Sequence, residues 1–146
     1  MEKSELASRF NPQVADALRE YTRSSPFAGQ LGIEIVSSSP GRLTCQLIVE
    51  ERHHSGVGAV HGGVIVSLID HAMSLAVYPL VEIGKWVATL EFKVSYLEAV
   101  REGTMVAEAE VLSLKKRVGT VRVEVKNGDA LAATAIGTVY IREKPS

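Results

Sequence analysis

A single cysteine, Cys45, occurs in 146 residues. An intrachain disulfide is therefore excluded, and no cluster of thiolates can hold zinc. A charge surplus is missing too. The 16 basic and 17 acidic residues leave a formal net charge of -1, so bulk charge gives no grip on nucleic acid or on an anionic membrane surface. The opening stretch MEKSELASRFNPQ lacks a continuous apolar segment and a small-residue cleavage site. It does not read as a secretory signal, and a cytoplasmic location is the expectation. The apolar run after Gly63 is interrupted by Ser67, Asp70, His71 and Ser74, which argues against a membrane span. Repeats, low-complexity tracts and linkers are absent from the sequence. What is present, 46% apolar and 23% charged residues, suits one globular domain over residues 1–146 with a sizeable core.

The order of elements follows from periodicity. Residues 11–22 open with Asn11 as N-cap and Pro12 at the first helical position, and Val14, Leu18 and Tyr21 recur at helical spacing. The stretch SSPFAGQLG breaks that helix. Residues 33–50 read as a hairpin around SSSPG: Leu43, Cys45, Leu47 and Val49 alternate with polar residues, Ile48 being the exception. A loop rich in Gly and His, ERHHSGVGAVHGG, precedes a long apolar helix over residues 62–80. Four strands follow. In VATLEFKVSYL, Leu90, Phe92, Val94 and Tyr96 share a face; in MVAEAEVLSL and VGTVRVEVKN the alternation continues. NGD is a tight-turn signal. ALAATAIGTVYI is apolar on both faces and belongs inside the sheet, and REKPS reads as a frayed tail. A helix that is apolar nearly all round needs a wrapping partner. The expected fold is α+β, a hotdog: a curved antiparallel sheet of about six strands round one long central helix, preceded by a short N-terminal helix.

Asp70 lies in the middle of that helix. At about 100° per residue, Ser67, Asp70, His71 and Ser74 fall within an arc of about 100°, with Gly63 on the same side. A solvated helix face carries Lys and Glu; residues 62–80 carry neither. The stripe is therefore expected to face a crevice or a subunit interface. A partly buried carboxylate finds donors, takes up a proton or does chemistry. Two readings stay open: an acid bonded to hydroxyls at an interface, or a base working near neutral pH. HGG, residues 61–63, marks the helix start. Glycine admits close approach of a ligand, and first-turn N–H groups lack intrahelical acceptors and lie at the positive end of the helix dipole. That is an oxyanion hole in outline. Gly62 and Asp70 are eight residues apart, about 12 Å along one helix. A base must work within roughly 3 Å of the carbonyl carbon. If the two groups form one site, Asp70 must meet the Gly62 of another copy, and the protein is at least a dimer with two shared sites.

The segments GAVHGGVIVSLIDHAMSLAV and VATLEFKVSYLEAV together resemble the PaaI-like, THEM2-like group of hotdog acyl-CoA thioesterases. The resemblance covers residues 27–142 and leaves residues 1–26 as an N-terminal helical extension. It implies Asp70 as nucleophile or as general base for water, the Gly62 N–H as polariser of the thioester carbonyl, and His61 beside it. Thr89 matches a Ser or Thr position close to the acid, contributed by the other subunit. Six residues before the HGG histidine the family commonly has Asn; this chain has Ser55, after His53 and His54. Serine is shorter and lacks the amide donor, and His54 is a substitute to consider. The implied substrate is an acyl-CoA. Arg101 and the turn Lys115, Lys116, Arg117 match positions that flank CoA, whose phosphates call for basic groups; a solvated turn is the plain alternative. Gly63 and Ser74, with Met73, Ala76, Val77 and Tyr78, are candidates to line the acyl site. Trp86 reads as core. No cofactor is implied, since water and a carboxylate suffice. The implied assembly is a homodimer pairing further into a homotetramer, with no nucleic-acid or membrane partner.

Rival chemistries fit less well. His53, His54, His61 and His71 with Asp70 are metal-ligand types, but their spacing is not that of a zinc site. A hydratase pairs its acid with a His several residues on, whereas Asp70 and His71 are adjacent. No nucleophile elbow surrounds Ser67 or Ser74. A non-catalytic acyl-CoA binder stays open because of Ser55.

Overall fold

The computed structural model describes residues 1–144. Six strands form one antiparallel sheet: β1 (Ile33–Ser39), β2 (Arg42–Ile48), β3 (Lys85–Tyr96), β4 (Thr104–Leu114), β5 (Val118–Asn127) and β6 (Ala130–Glu143), in the order β1-β2-β4-β5-β6-β3. Side chains alternate across a strand, so one face of each is apolar. On β2, Leu43, Cys45 and Leu47 are buried while Arg42 and Ile48 are exposed. On β5, Val121, Val123 and Val125 are fully buried. β6 lies inside the sheet as expected, flanked by β5 and β3; Ala133, Ala135, Val139 and Ile141 face the core, while Ile136 on the other face is 48% exposed. The NGD turn closes the β5–β6 hairpin, with Gly128 at φ 59°. The tail expected at residues 142–146 is strand up to Glu143; Pro145 and Ser146 lie outside the described residues.

The sheet wraps α4 (Gly62–Leu75). Leu68, Ile69, Ala72 and Met73 of α4 are 0% exposed and share one core with the inward residues of the sheet. The stretch Gly62–Leu80 is apolar enough to cross a membrane, yet 61% of it is buried inside the protein; the sheet takes the place of lipid. The expected helix to residue 80 is too long. Pro79 has no N–H and its ring clashes with the carbonyl four residues back, which is that of Leu75. The helix ends at Leu75, and Tyr78–Leu80 form a separate 3-10 turn.

Three helices precede the sheet where one was expected. α2 (Pro12–Ser24) begins as predicted: the Asn11 side chain accepts from Gln13 N–H (3.0 Å) and Val14 N–H (3.2 Å). α1 (Lys3–Arg9) and α3 (Pro26–Leu31) are additional. Each is too short to show a period and buries one residue, Leu6 or Ala28. Pro26 therefore starts a new helix rather than ending order, and Gly32, at φ 77°, ends it. α2 is fixed to β1 by Arg19, which donates to Ile35 O (2.6 Å) and Val36 O (3.1 Å).

β3 is an edge strand whose alternation is broken. Thr89 pairs with Val139 and Glu91 with Thr138, so Leu90 is an extra, bulged residue. Phe92 and Val94 pack on the core as expected. Leu90 does not; it is 61% exposed, and Tyr96 at the strand end is 51% exposed. Trp86, expected in the core, is 37% exposed and lies under the Arg142 guanidinium at 4.4 Å.

Candidate active site

The start of α4 is built by His61. As N-cap, its Nδ1 accepts the Gly63 N–H (2.9 Å), and its carbonyl accepts the Val64 N–H (2.9 Å). Nδ1 being an acceptor, the neutral ring carries its proton on Nε2. His61 is itself held: its N–H donates to the His53 carbonyl (2.8 Å). His53 is buried, its Nδ1 accepts the Glu50 N–H (2.9 Å), and its Nε2–H donates to Leu31 O (2.9 Å). Two first-turn amides thus have acceptors within the turn. Among the described residues none accepts the Gly62 N–H. Gly62 rather than Gly63 is the amide open to a ligand. The Tyr96 hydroxyl donates to Gly62 O (3.0 Å), a contact across 34 residues that the sequence did not reveal.

Asp70 lies on the part of α4 that the sheet leaves open. Within one chain it is exposed, so the burial expected from its apolar flanks is not supplied by its own sheet. It lines a cleft of about 430 Å³ together with Ser67, His71, Ser74 and Thr89. The polar stripe read from the helical wheel therefore shares one cleft. Phe27 of α3, Ile33 of β1 and Leu90 of the bulge give this cleft apolar walls. Thr89 was expected from the other subunit; the structure puts it in the cleft of its own chain's Asp70. His71 Nε2 bonds to the Oγ1 of Thr22, a fully buried threonine of α2, at 2.9 Å. Burial lowers the His71 pKa below the usual histidine value, and the Asp70 charge opposes that shift. Ser67 and Ser74 return their hydroxyls to the carbonyls of Gly63 (2.7 Å) and Asp70 (3.2 Å). Neither is arranged as a nucleophile. Met73 and Val77, candidates for the acyl site, are 0% exposed and belong to the core.

The remaining candidates lie elsewhere. Ser55 donates its hydroxyl to Ala59 O (3.1 Å) within its own loop. His54 Nε2 meets Arg101 O (2.7 Å), and the Arg101 guanidinium reaches Gly58 O (3.4 Å). This cluster is at the Gly62 end of the sheet. Lys115, Lys116 and Arg117 are at the opposite end, across the 11 residues of β4, about 35 Å at roughly 3.3 Å per residue. They line a cavity of about 760 Å³ with Arg9, Lys85 and Arg142. One chain does not bring Arg101 and the 115–117 turn to one ligand. The four histidines are dispersed over separate tasks, and among the described residues no group of three or more His, Cys, Asp or Glu is arranged to hold a metal ion.

Comparison with known proteins adds four findings. A model of the thioesterase superfamily matches residues 57–133. A putative esterase of Archaeoglobus fulgidus is 31% identical over 131 residues, 88% of this chain and 83% of that protein. Acyl-coenzyme A thioesterase 13 of Homo sapiens is 28% identical over 116 residues, 78% of this chain and 82% of that protein. Among solved structures, a thioesterase from Haemophilus influenzae superposes with a TM-score of 0.82 at 26% identity, covering 88% of this chain and 90% of that one.

Proposed function

The chain belongs to the thioesterase superfamily, and on that premise we propose that it hydrolyses acyl-CoA thioesters to a free acid and CoA at a site shared by two subunits. The observation that carries the reading is the division of labour along α4. Gly62 offers an N–H without an acceptor at one position; Asp70 and Thr89 share a cleft at another. The two positions are about 12 Å apart on one helix. A second helix, antiparallel to the first, sets the Asp70 of one chain opposite the Gly62 of the other, and by two-fold symmetry does so twice.

In this reading the thioester carbonyl oxygen accepts from the Gly62 N–H, in line with the α4 dipole. As the tetrahedral intermediate forms, negative charge grows on that oxygen, where a fixed donor stabilises it most. The partner's Asp70 attacks the carbonyl carbon or takes a proton from the attacking water. The C–S bond then breaks, and CoA leaves as the thiol after taking up a proton; where Asp70 is itself the nucleophile, water next cleaves the acyl–Asp70 anhydride, releasing the free acid and restoring the carboxylate. Thr89, which lines the Asp70 cleft, orients the acid or the water. The apolar walls at Phe27, Ile33 and Leu90 receive the acyl group. Arg101 of one subunit and the 115–117 turn of the other supply charge for the CoA phosphates, since one chain keeps them at opposite ends of its sheet.

A panel of acyl-CoA esters assayed by thiol release tests this directly. The wild type turns over at least one ester. Asp70→Asn lowers kcat by 100-fold or so, with a small change in KM, because the carboxylate acts in the transition state. Binding of esters without turnover, or an unchanged rate in Asp70→Asn, favours the second reading, a non-catalytic acyl-CoA binder. That reading draws on Ser55, which has no amide and spends its hydroxyl on Ala59.

A further inference from the structure

We infer that Tyr96 is a positioning residue for thioester hydrolysis, its hydroxyl clamping the Gly62–Gly63 peptide unit and so limiting rotation about the Gly62 α-carbon beside the donor N–H. The inference rests on the reading of Gly62 as oxyanion donor. The first turn of a helix is held by fewer internal bonds than the turns behind it. Here the peptide joining Gly62 to Gly63 is held at both of its polar atoms. The Tyr96 hydroxyl donates to Gly62 O (3.0 Å), and the Gly63 N–H donates to His61 Nδ1 (2.9 Å). With that plane fixed, and with the preceding carbonyl of His61 accepting the Val64 N–H, the backbone of Gly62 has little freedom left.

The tyrosine ring adds a steric half to the clamp. A β-carbon on Gly62 would lie 3.0 Å from the Tyr96 hydroxyl oxygen and 3.1 Å from Cζ. A side chain at Gly62 would push the tyrosine back by a few tenths of an ångström, and the tyrosine restricts the conformational freedom that glycine brings. The clamp is also referred to the sheet. Tyr96 is paired with Ala133 on β6, and its own strand carries Thr89 in the Asp70 cleft. A half-exposed tyrosine at the end of an edge strand thereby ties the amide donor to the element that holds the rest of the machinery. Misplacing a catalytic group by a fraction of its contact distance lowers the rate without preventing binding.

The test compares Tyr96→Phe with the wild type, on whichever ester the panel identifies. Two quantities are read: steady-state kinetics, and hydrogen exchange at the Gly63 amide by NMR. Tyr96→Phe keeps the ring, so folding is preserved. Its kcat is expected to fall by about tenfold with KM within about twofold, and Gly63 exchange is expected to quicken by a similar factor. Tyr96→Leu, which also loses the ring, falls further. Asp70→Asn is the control: its kcat falls by about 100-fold, with Gly63 exchange as in the wild type. If Tyr96→Phe has wild-type kcat while that of Asp70→Asn falls, the inference is overturned alone. A fall in kcat with unchanged Gly63 exchange overturns it as well. Wild-type turnover by Asp70→Asn overturns the shared-site reading and this inference together.

Discussion

Asp70 has Leu68, Ile69, Ala72 and Met73 for neighbours in sequence, all fully buried, and is itself exposed within its chain. The helical period resolves the apparent contradiction: the buried neighbours face the sheet, and the acid faces the cleft. His71, the next residue, is set differently. Burial lowers its folded-state pKa, while in the unfolded chain it titrates near 6.5. Between those two values the unfolded state binds more protons, so stability is complete above about pH 6.5 and is lost as pH falls towards the folded value. Denaturation from pH 7 to 5 is expected to show this loss in the wild type and a shallower one in His71→Gln; parallel curves would contradict it. Cys45 is 0% exposed, and burial pushes its thiol up to about 12. It is expected to stay unlabelled by thiol reagents until the protein unfolds, so it adds no background to a thiol-release assay. The stripe of Asp70, His71, Ser67 and Ser74 was legible from one helical wheel. The partners of these residues were not. Thr22 is 49 positions from His71 and Tyr96 is 34 from Gly62, and a local pattern carries no signal for a contact made only after the chain has folded.

The elements divide in the same way. Strands announced themselves by alternation, α2 by Asn11 and Pro12, and the β5–β6 hairpin by NGD, because each of these signals is local. α4 was read five residues too long because Pro79 acts at a distance of four residues, on the Leu75 carbonyl. The β3 bulge left no mark, since Leu90 continues an apolar alternation that the pairing then breaks. Just past the bulge, β3 packs closely on β6, where Phe92 is paired with Gly137. A β-carbon on Gly137 would lie 2.4 Å from Phe92 Cβ, 2.5 Å from Glu91 O and 2.8 Å from Met73 Sδ. The glycine lets the strand just past the bulge close down on its neighbour and on α4. Gly137→Ala is therefore expected to destabilise the fold by about 1–3 kcal/mol, the usual cost of overpacking, measured by chemical denaturation. A neutral effect would mean that the bulge relaxes freely. The same bulge turns Leu90 and Thr89 to the cleft, so this variant is also expected to lose activity beyond its loss of folded protein.

At the scale of the whole molecule, one chain carries each half of the proposed chemistry without joining them. Its edge strand β3 has one neighbour and exposes Trp86, Leu90 and Tyr96, an unpaired edge of the kind that a second copy can cover. The basic cavity at residues 115–117 and the Arg101 cluster lie at opposite ends of the sheet. In an antiparallel pair each end of one chain meets the other end of its twin. Charge reversal of Lys115 and Lys116 to Glu is expected to raise KM severalfold with kcat nearly unchanged, an effect that fades as salt screens the phosphates. The central claim is tested most directly by mixing two impaired variants. Asp70→Asn subunits and Gly62→Pro subunits, the latter lacking the donor N–H at a first helical position that accepts proline, are co-expressed and form mixed dimers in which one site carries both defects and the other carries none. Shared sites predict that mixed dimers recover about half of wild-type turnover, one of two sites being intact. Mixed dimers as inactive as either parent would mean that each chain works alone, and would contradict the account.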